Sequence, residues 1–191
     1  MGFLDTLLGR TKPVKPDLDQ LFGLPSAAIT LEAAAGFKPT GLGSVCFAAA
    51  EGGAFAQVQS DVEALLNADQ GHPVEISRDS YGYTWLLSRQ PADDLVSLVN
   101  DVHAVNTALQ DNGFGPQLLC SLVAFQNAEG QKLALVYLYK RGTFYPFAPA
   151  KSGGEKRNNA LELQIKAMIG NDLKVEQDLG RWFPVWGAPG L

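Results

Sequence analysis

The residues best suited to chemistry are two histidines and two cysteines, and none has a partner at a useful spacing. His72 and His103 lack the HxxxH or HExxH arrangement that brings two imidazoles to one metal ion. Cys46 and Cys120 form no CxxC pair and each lies in an apolar run, which is typical of buried structural thiols in a reducing cytosol. The alternatives, a disulfide or a nucleophilic cysteine paired with His103, depend on the fold. We therefore predict no catalytic constellation, no metal site and no cofactor.

Asp79 is the acidic residue with the most informative neighbours, because aromatic residues follow it at alternate positions. These residues are Tyr81, Tyr83 and Trp85. An aspartate at a hairpin turn usually accepts hydrogen bonds from its own backbone. A carboxylate among aromatic side chains also suits the wall of a pocket, although no second carboxylate or base accompanies it for acid–base catalysis. These residues are predicted either to stabilise a turn or to line a ligand pocket.

Two glycine-rich segments look like phosphate-binding loops but do not have the required spacing. Gly153-Gly154-Glu155-Lys156-Arg157 lacks the P-loop pattern G-x-x-x-x-G-K-[ST]. Gly113-Phe114-Gly115 lacks the third glycine of a dinucleotide fingerprint and precedes a predicted strand, where that fingerprint requires a helix. The first segment is predicted as a linker that starts a helix, and the second as a turn.

The N-terminal segment, residues 1–10, is predicted to be a short amphipathic helix. A segment this short is not stable alone in water, so its apolar face needs a partner surface. That surface is the chain's own domain, another protomer, a binding protein or a membrane, and the short face favours reversible docking over permanent anchoring. Pro13 and Pro16 separate the helix from the rest of the chain. The predicted docking residues are Phe3, Leu4, Leu7 and Leu8.

A basic and aromatic surface is predicted from two later segments. Lys140 and Arg141 lie at a predicted hairpin tip, for which a charged, solvated turn is the simpler interpretation. The C-terminal segment is rich in tryptophan and arginine, which are enriched at binding hot spots, although such a tail more often folds back to complete the core. The candidate partner surface comprises Lys140, Arg141, Arg181, Trp182, Phe183 and Trp186.

Composition narrows the class of protein. The chain has 191 residues, of which 46% are hydrophobic and 18% charged, so it can bury a sizeable core. Its net charge of -5 argues against nucleic-acid binding, which needs a basic surface for the phosphates. No apolar stretch approaches the length of a membrane span, and the N-terminus does not resemble a signal peptide. We expect a cytoplasmic protein, with peripheral contact at the inner face of the membrane as an open alternative.

Apolar periodicity predicts the secondary structure. Helices are predicted over 54–68, from Pro91 to before Gly113, and over 155–170. A short helix is predicted from Asp17 to Phe22. A hairpin over 74–78 and 81–89, a meander over 118–126, 132–140 and 144–147, and a short strand over 44–49 account for the β-structure. Residues 26–35 combine strand-like alternation with an alanine run, and a strand is favoured.

These elements predict an α+β fold, with a largely antiparallel sheet of hairpins and about three amphipathic helices packed on one face. The amphipathic N-terminal helix is expected to be detached from this body. The predicted organisation is residues 1–16 as docking helix and proline-rich linker, and 17–191 as a single domain with an aromatic C-terminal tail.

Several blocks of the sequence resemble the bacterial PspA-associated protein family PspAB. The blocks are Met1-Gly2-Phe3-Leu4-Asp5 with Leu7-Leu8-Gly9-Arg10, Asp79-Ser80-Tyr81-Gly82-Tyr83-Thr84-Trp85, Asn112-Gly113-Phe114-Gly115-Pro116-Gln117-Leu118-Leu119-Cys120, Tyr137-Leu138-Tyr139-Lys140-Arg141-Gly142-Thr143-Phe144-Tyr145-Pro146 and Arg181-Trp182-Phe183-Pro184-Val185-Trp186-Gly187. The resemblance implies association with the phage-shock protein A envelope-stress system, whose coiled-coil member binds stressed membranes. It implies no enzyme and assigns no catalytic residue.

The leading hypothesis is a non-enzymatic adaptor or regulatory protein that binds PspA-type coiled-coil proteins or related stress proteins. Its contacts would be the N-terminal helix and the aromatic surface. The alternative is a small-ligand-binding or enzymatic domain with a pocket near Tyr81, Tyr83 and Trp85. Direct membrane-surface binding and a homodimer are also open.

Overall fold

The computed structural model describes residues 16–48, 52–68 and 74–191. They form an α+β fold around a six-stranded antiparallel sheet with strand order β2-β3-β1-β4-β5-β6. The strands are β1 (Lys38–Ala48), β2 (Glu75–Arg78), β3 (Tyr83–Arg89), β4 (Leu118–Gln126), β5 (Lys132–Leu138) and β6 (Thr143–Phe147). The α-helices are α1 (Leu24–Ala35), α2 (Gly53–Ala68), α3 (Leu95–Leu109) and α4 (Asn159–Ile169). The predicted fold class and antiparallel sheet are confirmed, whereas the predicted N-terminal helix lies outside the described residues.

Short helical turns connect these elements. They are Leu18–Gly23, Gln110–Phe114, Gly115–Gln117 and Leu179–Arg181. The first agrees with the helix predicted from Asp17 to Phe22. Two glycines of the segment predicted as a turn, Gly113 and Gly115, lie in the second and third of these turns, and Gly113 has a left-handed φ of 85°.

Helix α1 corrects the prediction of a strand over 26–35. Pro25 lies in its first turn, where the missing amide hydrogen removes no intrahelical bond. Gly36 ends it with a left-handed φ of 70°, and the Gly36 amide donates to the Glu32 carbonyl oxygen at 3.0 Å. Small apolar side chains recur at helical spacing on the buried face, which comprises Leu24, Ala27, Ala28 and Leu31. The alanine run was therefore the stronger signal.

Two other helices begin later than predicted because a side chain caps their first turn. The Asp94 carboxylate accepts a hydrogen bond from the Ser97 amide at 3.0 Å, so α3 starts at Leu95 and not at Pro91. Asn158 caps α4 in the same way through the Leu161 amide at 3.1 Å. The glycine-rich segment before Asn158 lies outside the helix.

Helix α3 packs across one face of the sheet. Gly43 of β1 has no side chain, and a Cβ at this position would lie 3.3 Å from the Leu98 side chain, so the glycine permits a close approach. The buried Asn106 amide nitrogen donates to the Ser121 hydroxyl of β4 at 2.8 Å, which is the structural role expected of a buried amide. This side of the sheet, which includes Gly43 and Ser121, will be called the helix face.

The C-terminal segment, residues 176–191, covers the opposite face. Trp182 stacks on Tyr145 of β6 with ring centroids 6.0 Å apart, and Trp186 packs edge-on against Phe147 at 4.8 Å. Phe144 of β6 pairs with Tyr137 of β5, and Tyr137 pairs with Ser121 of β4, so these three side chains lie on the helix face. Side chains alternate along a strand, so Tyr145 and Phe147 lie on the opposite face. This second surface will be called the tail face.

The outer edge of β6 is also paired. The Phe144 amide donates to the Lys174 carbonyl oxygen at 2.9 Å, and the Glu176 amide donates to the Phe144 carbonyl oxygen at 2.7 Å. The backbone of residues 174–176, where the tail begins, therefore extends the ladder beyond β6.

Candidate functional site

A pocket of about 610 Å³ lies between the tail face of the sheet and the C-terminal segment. The sheet supplies its floor, the turn between β2 and β3 supplies one wall, and the turn between β5 and β6 together with the tail supplies the other. The pocket brings together two sets of residues that the sequence predicted separately, namely the candidate ligand pocket and most of the candidate partner surface.

Asp79 organises the aromatic wall. Its Oδ1 accepts hydrogen bonds from the amides of Tyr81 at 2.9 Å and Tyr83 at 3.0 Å. Its Oδ2 accepts from the Trp85 indole Nε1 at 2.9 Å, which holds that ring in the wall. Gly82 takes a left-handed φ of 85° that closes the turn. Asp79 therefore stabilises the turn and also lines the cavity, so the two sequence interpretations are compatible, and ligand binding stays a prediction.

The charge state of Asp79 follows from these bonds. Burial disfavours the ionised form, but hydrogen bonds from the Trp85 indole and from the amides of Tyr83, Tyr81 and Gly82 outweigh it, so the pKa of Asp79 lies below its usual value. A carboxylate with a lowered pKa and several bound donors is a weak base. Its clearest role in this wall is to orient Trp85.

Three cationic side chains, Lys140, Arg141 and Arg181, line the opposite part of the pocket. Arg141 Nε lies 3.1 Å from Glu176 Oε2, and Arg181 Nε lies 3.1 Å from Asp178 Oδ2. Both arginines are thus positioned by carboxylates of the tail. Lys140 forms no ion pair with any carboxylate that the structure describes.

Glu176 fixes the base of the tail. Its carboxylate is almost fully buried and also accepts a hydrogen bond from the Thr143 hydroxyl at 2.9 Å. Burial opposes ionisation, but the hydrogen bonds from Arg141, the Asp178 amide and Thr143 together with the Arg141 charge leave the pKa of Glu176 lowered. The cationic wall therefore includes a buried, ionised anchor.

The tail residues of the predicted partner surface divide into two groups. Phe183 is 60% exposed at the pocket and Trp186 is half-buried on Phe147. Trp182 is only 6% exposed, and its indole Nε1 donates to the Glu176 carbonyl oxygen at 3.1 Å. Trp182 is therefore a core side chain and not part of a partner surface, which is the outcome that the sequence favoured for the tail as a whole.

Cys46 and Cys120 lie in the pocket floor as direct partners across β1 and β4. Both are free thiols; Cys46 is buried and Cys120 is half-buried. A hydrogen bond with Cys120 and burial raise the pKa of the Cys46 thiol. The sequence left a disulfide open as an alternative but could not place the two cysteines opposite each other, because no local signal connects a residue of β1 with one of β4.

The cysteine–histidine dyad left open by the sequence is not formed with His103. This histidine lies on α3, where its ring packs on Phe22 and its Nε2 lies 3.4 Å from Asp19 Oδ1. That is the helix face, whereas both thiols face the tail. His72 and the docking residues Phe3, Leu4, Leu7 and Leu8 lie outside the described residues.

The described ranges contain no group of three or more histidine, cysteine, aspartate or glutamate residues that could hold a metal ion. Chemically, the pocket offers an apolar interior, aromatic rings and a cationic edge. Such a combination suits a ligand or partner segment that has an apolar body and carries negative charge.

One known protein family matches this chain over nearly its whole length. The family described as PspA associated protein B matches residues 1–190. The chain belongs to this family. Membership in PspAB confirms the resemblance seen in the sequence and indicates an association with PspA. No curated protein and no solved structure matches the chain. No helix of the described part is both long and apolar enough to cross a bilayer.

Proposed function

We propose that this PspAB protein is a non-enzymatic adaptor or regulatory protein of the PspA envelope-stress response. In this proposal it works on the cytoplasmic side of the membrane and binds a PspA-type coiled-coil protein through the pocket. The observation that carries the proposal is the meeting of an aromatic wall and three cations in one cavity. Family membership supplies the partner class.

The pocket has the composition of a protein-binding hot spot. Tryptophan, tyrosine and arginine are the side chains that most often dominate binding energy, and here they surround a concave apolar floor. An apolar side chain of the partner would enter beside Trp85 and Phe183. Acidic residues next to it would lie against Lys140 and Arg181, which steer association and select the register.

The N-terminal segment is the second proposed contact. Its apolar residues Phe3, Leu4, Leu7 and Leu8 would dock reversibly on the same partner or on the membrane that the partner occupies. Burial of each such side chain stabilises a complex by roughly 1.5 to 3 kcal/mol, which is enough for reversible binding. Substitution of Leu4 or Leu8 by aspartate should then weaken binding without affecting the pocket.

The deciding experiment is a titration of the purified full chain with purified PspA, followed by calorimetry. The wild type should bind, and the double charge reversal Lys140→Glu with Arg181→Glu should weaken binding at least tenfold. Lys132→Glu is the matched control, because this exposed lysine lies at the start of β5 and does not line the pocket. Absence of wild-type binding, or equal affinity of all three proteins, would overturn the proposal.

An apolar test uses two exposed side chains of the same tail. Phe183, which lines the pocket, is 60% exposed, and Leu179, which does not, is 53% exposed. Phe183→Ala should weaken PspA binding severalfold, whereas Leu179→Ala should leave it unchanged. A loss of equal size in both variants would place the contact elsewhere on the tail.

A small-ligand-binding domain is the second candidate, favoured by the size of the pocket. Its volume of about 610 Å³ falls within the range of sites for small molecules, roughly 300 to 1,000 Å³. The ligand class would be an apolar molecule with a carboxylate or phosphate. The fluorescent probe anilinonaphthalene sulfonate is likewise an apolar molecule with one anionic group, a sulfonate. It should bind the wild type and be displaced by PspA if both candidates share the pocket.

A further inference from the structure

The two cysteines are positioned for a reaction that does not depend on the proposed partner. Cys46 and Cys120 are directly opposite in an antiparallel ladder. Opposite residues in such a ladder have Cα atoms about 4.5 to 5.5 Å apart, and disulfides span about 4.4 to 6.8 Å. The backbone therefore already meets the distance requirement of a disulfide. Both side chains point to the tail face, since both line the pocket.

The pocket gives these thiols access to small solutes. Ordinary core cysteines are inert because nothing reaches them. Here Cys120 is half-buried and forms part of the floor of a cavity of about 610 Å³, which is large compared with a peroxide molecule. Cys46 is 3% exposed and lies beside Cys120 on the neighbouring strand. Access is therefore unequal, with Cys120 as the first thiol that a solute meets.

The surroundings of Cys46 favour the same order. A hydrogen bond with Cys120 and burial raise the pKa of Cys46, so its sulfur stays protonated at neutral pH. The thiolate is the nucleophile in thiol oxidation. Cys120 is also the more accessible thiol, so it is the attacking residue and Cys46 reacts second.

We propose that Cys46 and Cys120 are a redox-active pair that closes to a reversible cross-strand disulfide when hydrogen peroxide enters the pocket. The Cys120 thiolate attacks one peroxide oxygen, the O–O bond breaks, and hydroxide leaves with the proton that Cys120 lost, as water. The Cys46 thiol then gives up its proton as its sulfur attacks the sulfur of the resulting sulfenic acid. The S–O bond breaks, and the departing oxygen takes the Cys46 proton and leaves as water. Two thiols and one peroxide become one disulfide and two waters.

The disulfide would alter the pocket from its floor. Cys46 is opposite Trp85 on β3, and Cys120 is opposite Leu138 on β5, so the bond would lie between two lining side chains. An S–S bond of about 2.05 Å draws the two sulfurs together and removes both thiol hydrogens. The tryptophan emission of the protein should fall on oxidation, because a disulfide beside an indole quenches it, and Trp85→Phe should remove most of this change.

The test treats the folded full chain with hydrogen peroxide and measures the intact mass and the number of titratable thiols after denaturation. The expected result is joint loss of both thiols, a mass lower by two hydrogen atoms, and full recovery with dithiothreitol. Retention of both thiols, or uptake of oxygen without loss of hydrogen, would overturn the proposal. The wild-type measurement alone decides between these results.

Single serine variants test the order of reaction. In Cys46→Ser the sulfenic acid on Cys120 has no resolving thiol, so dimedone should label it. In Cys120→Ser, Cys46 should react at least tenfold more slowly. Strong dimedone labelling of Cys46 in the second variant, with none of Cys120 in the first, would reverse the proposed order and contradict this mechanism. Circular dichroism establishes that both variants are folded.

Discussion

The two faces of the central sheet are covered in different ways. On the helix face, α3 lies directly against β1, and its polar groups pair with the sheet, as in the Asn106 bond to Ser121. On the tail face, an irregular segment contacts the sheet at separated points and leaves a cavity of about 610 Å³. A regular helix can fill the grooves of a sheet continuously, whereas a segment with Pro184 and Gly187 follows it only in places. We infer that the helix face provides stability and the tail face provides binding.

The largest effect on stability is expected on the helix face. Leu98 is fully buried against Gly43, so Leu98→Ala should lower the free energy of unfolding by about 2 to 5 kcal/mol. Urea denaturation followed by circular dichroism measures the change. Leu179→Ala is the control, because that leucine is 53% exposed. A loss no larger than that of the control would mean that the helix face is not the main source of stability.

Asp79→Ala should have the next largest effect, because it leaves the Trp85 indole and two amides without their acceptor. The expected loss is about 1 to 3 kcal/mol. Because the folded-state pKa of Asp79 is lowered, its stabilising contribution is present above the unfolded value of about 4 and is lost as the pH falls through the folded value. The difference between wild type and variant in urea unfolding should therefore shrink in acid. A difference that stays constant down to pH ~2 would contradict this account.

Two buried tyrosines, one on each face of the sheet, form the same kind of hydrogen bond, so the two faces can be compared through them. The Tyr137 hydroxyl donates to the Asp17 carbonyl oxygen and the Tyr145 hydroxyl to the Phe183 carbonyl oxygen, each at 2.7 Å. Substitution by phenylalanine should cost about 1 kcal/mol at either position. Only Tyr145→Phe should also weaken the binding of anilinonaphthalene sulfonate, because this bond holds the tail over the pocket. Equal effects on probe binding would remove the proposed division between the faces.

The same tyrosines should make the folded state less stable at alkaline pH. Burial raises the pKa of both phenols, so their contribution is complete below the unfolded value of about 10 and decreases as the pH rises above it. Unfolding above this pH should coincide with phenolate absorbance in the wild type. The signal of the two buried phenols is the part of the phenolate absorbance that disappears in Tyr137→Phe and Tyr145→Phe, because the exposed Tyr81 and Tyr83 also absorb. Appearance of that part in the fully folded chain at pH ~10 would contradict the burial of these groups.

The smallest effect on stability is expected for Phe183→Ala. Its ring is 60% exposed, so the change should be within about 0.5 kcal/mol in thermal or urea unfolding. The same variant should nevertheless weaken PspA binding. A variant that is unstable as well as weak in binding would show that Phe183 is a structural residue of the tail and not a contact residue.

Sequence reasoning succeeded where the signal is local. The period of apolar residues predicted α2, the turn at Asp79 and the meander from β4 to β6 nearly to the residue. It failed at α1, where an alanine run and a strand-like alternation gave opposing signals, although Pro25 and Gly36 mark the two ends of the helix. Capping by Asp94 and Asn158 shifted two helix starts by a few residues.

The candidate site was predicted in pieces because its assembly is non-local. Sequence reasoning recognised two local groups, Asp79 with its aromatic neighbours and Lys140 with Arg141, because the members of each group lie close together in the sequence. Their meeting in one pocket depends on β1 lying between β3 and β4, which no local pattern shows. The same pairing brings Cys46 opposite Cys120. The sequence favoured core completion for the tail as a whole, but the path of the tail decided that Trp182 is buried whereas Phe183 is exposed.

The pairing of residues 174–176 along β6 also limits how this protein associates with others. An open strand edge is a template for strand addition and aggregation, and here Phe144 already exchanges hydrogen bonds with Lys174 and Glu176. At the other end of the sheet, β2 has four residues and carries charged side chains, which also discourages pairing. Complexes of this chain should therefore be held by side chains on the faces of the sheet, so that they assemble and separate without a strand being exchanged.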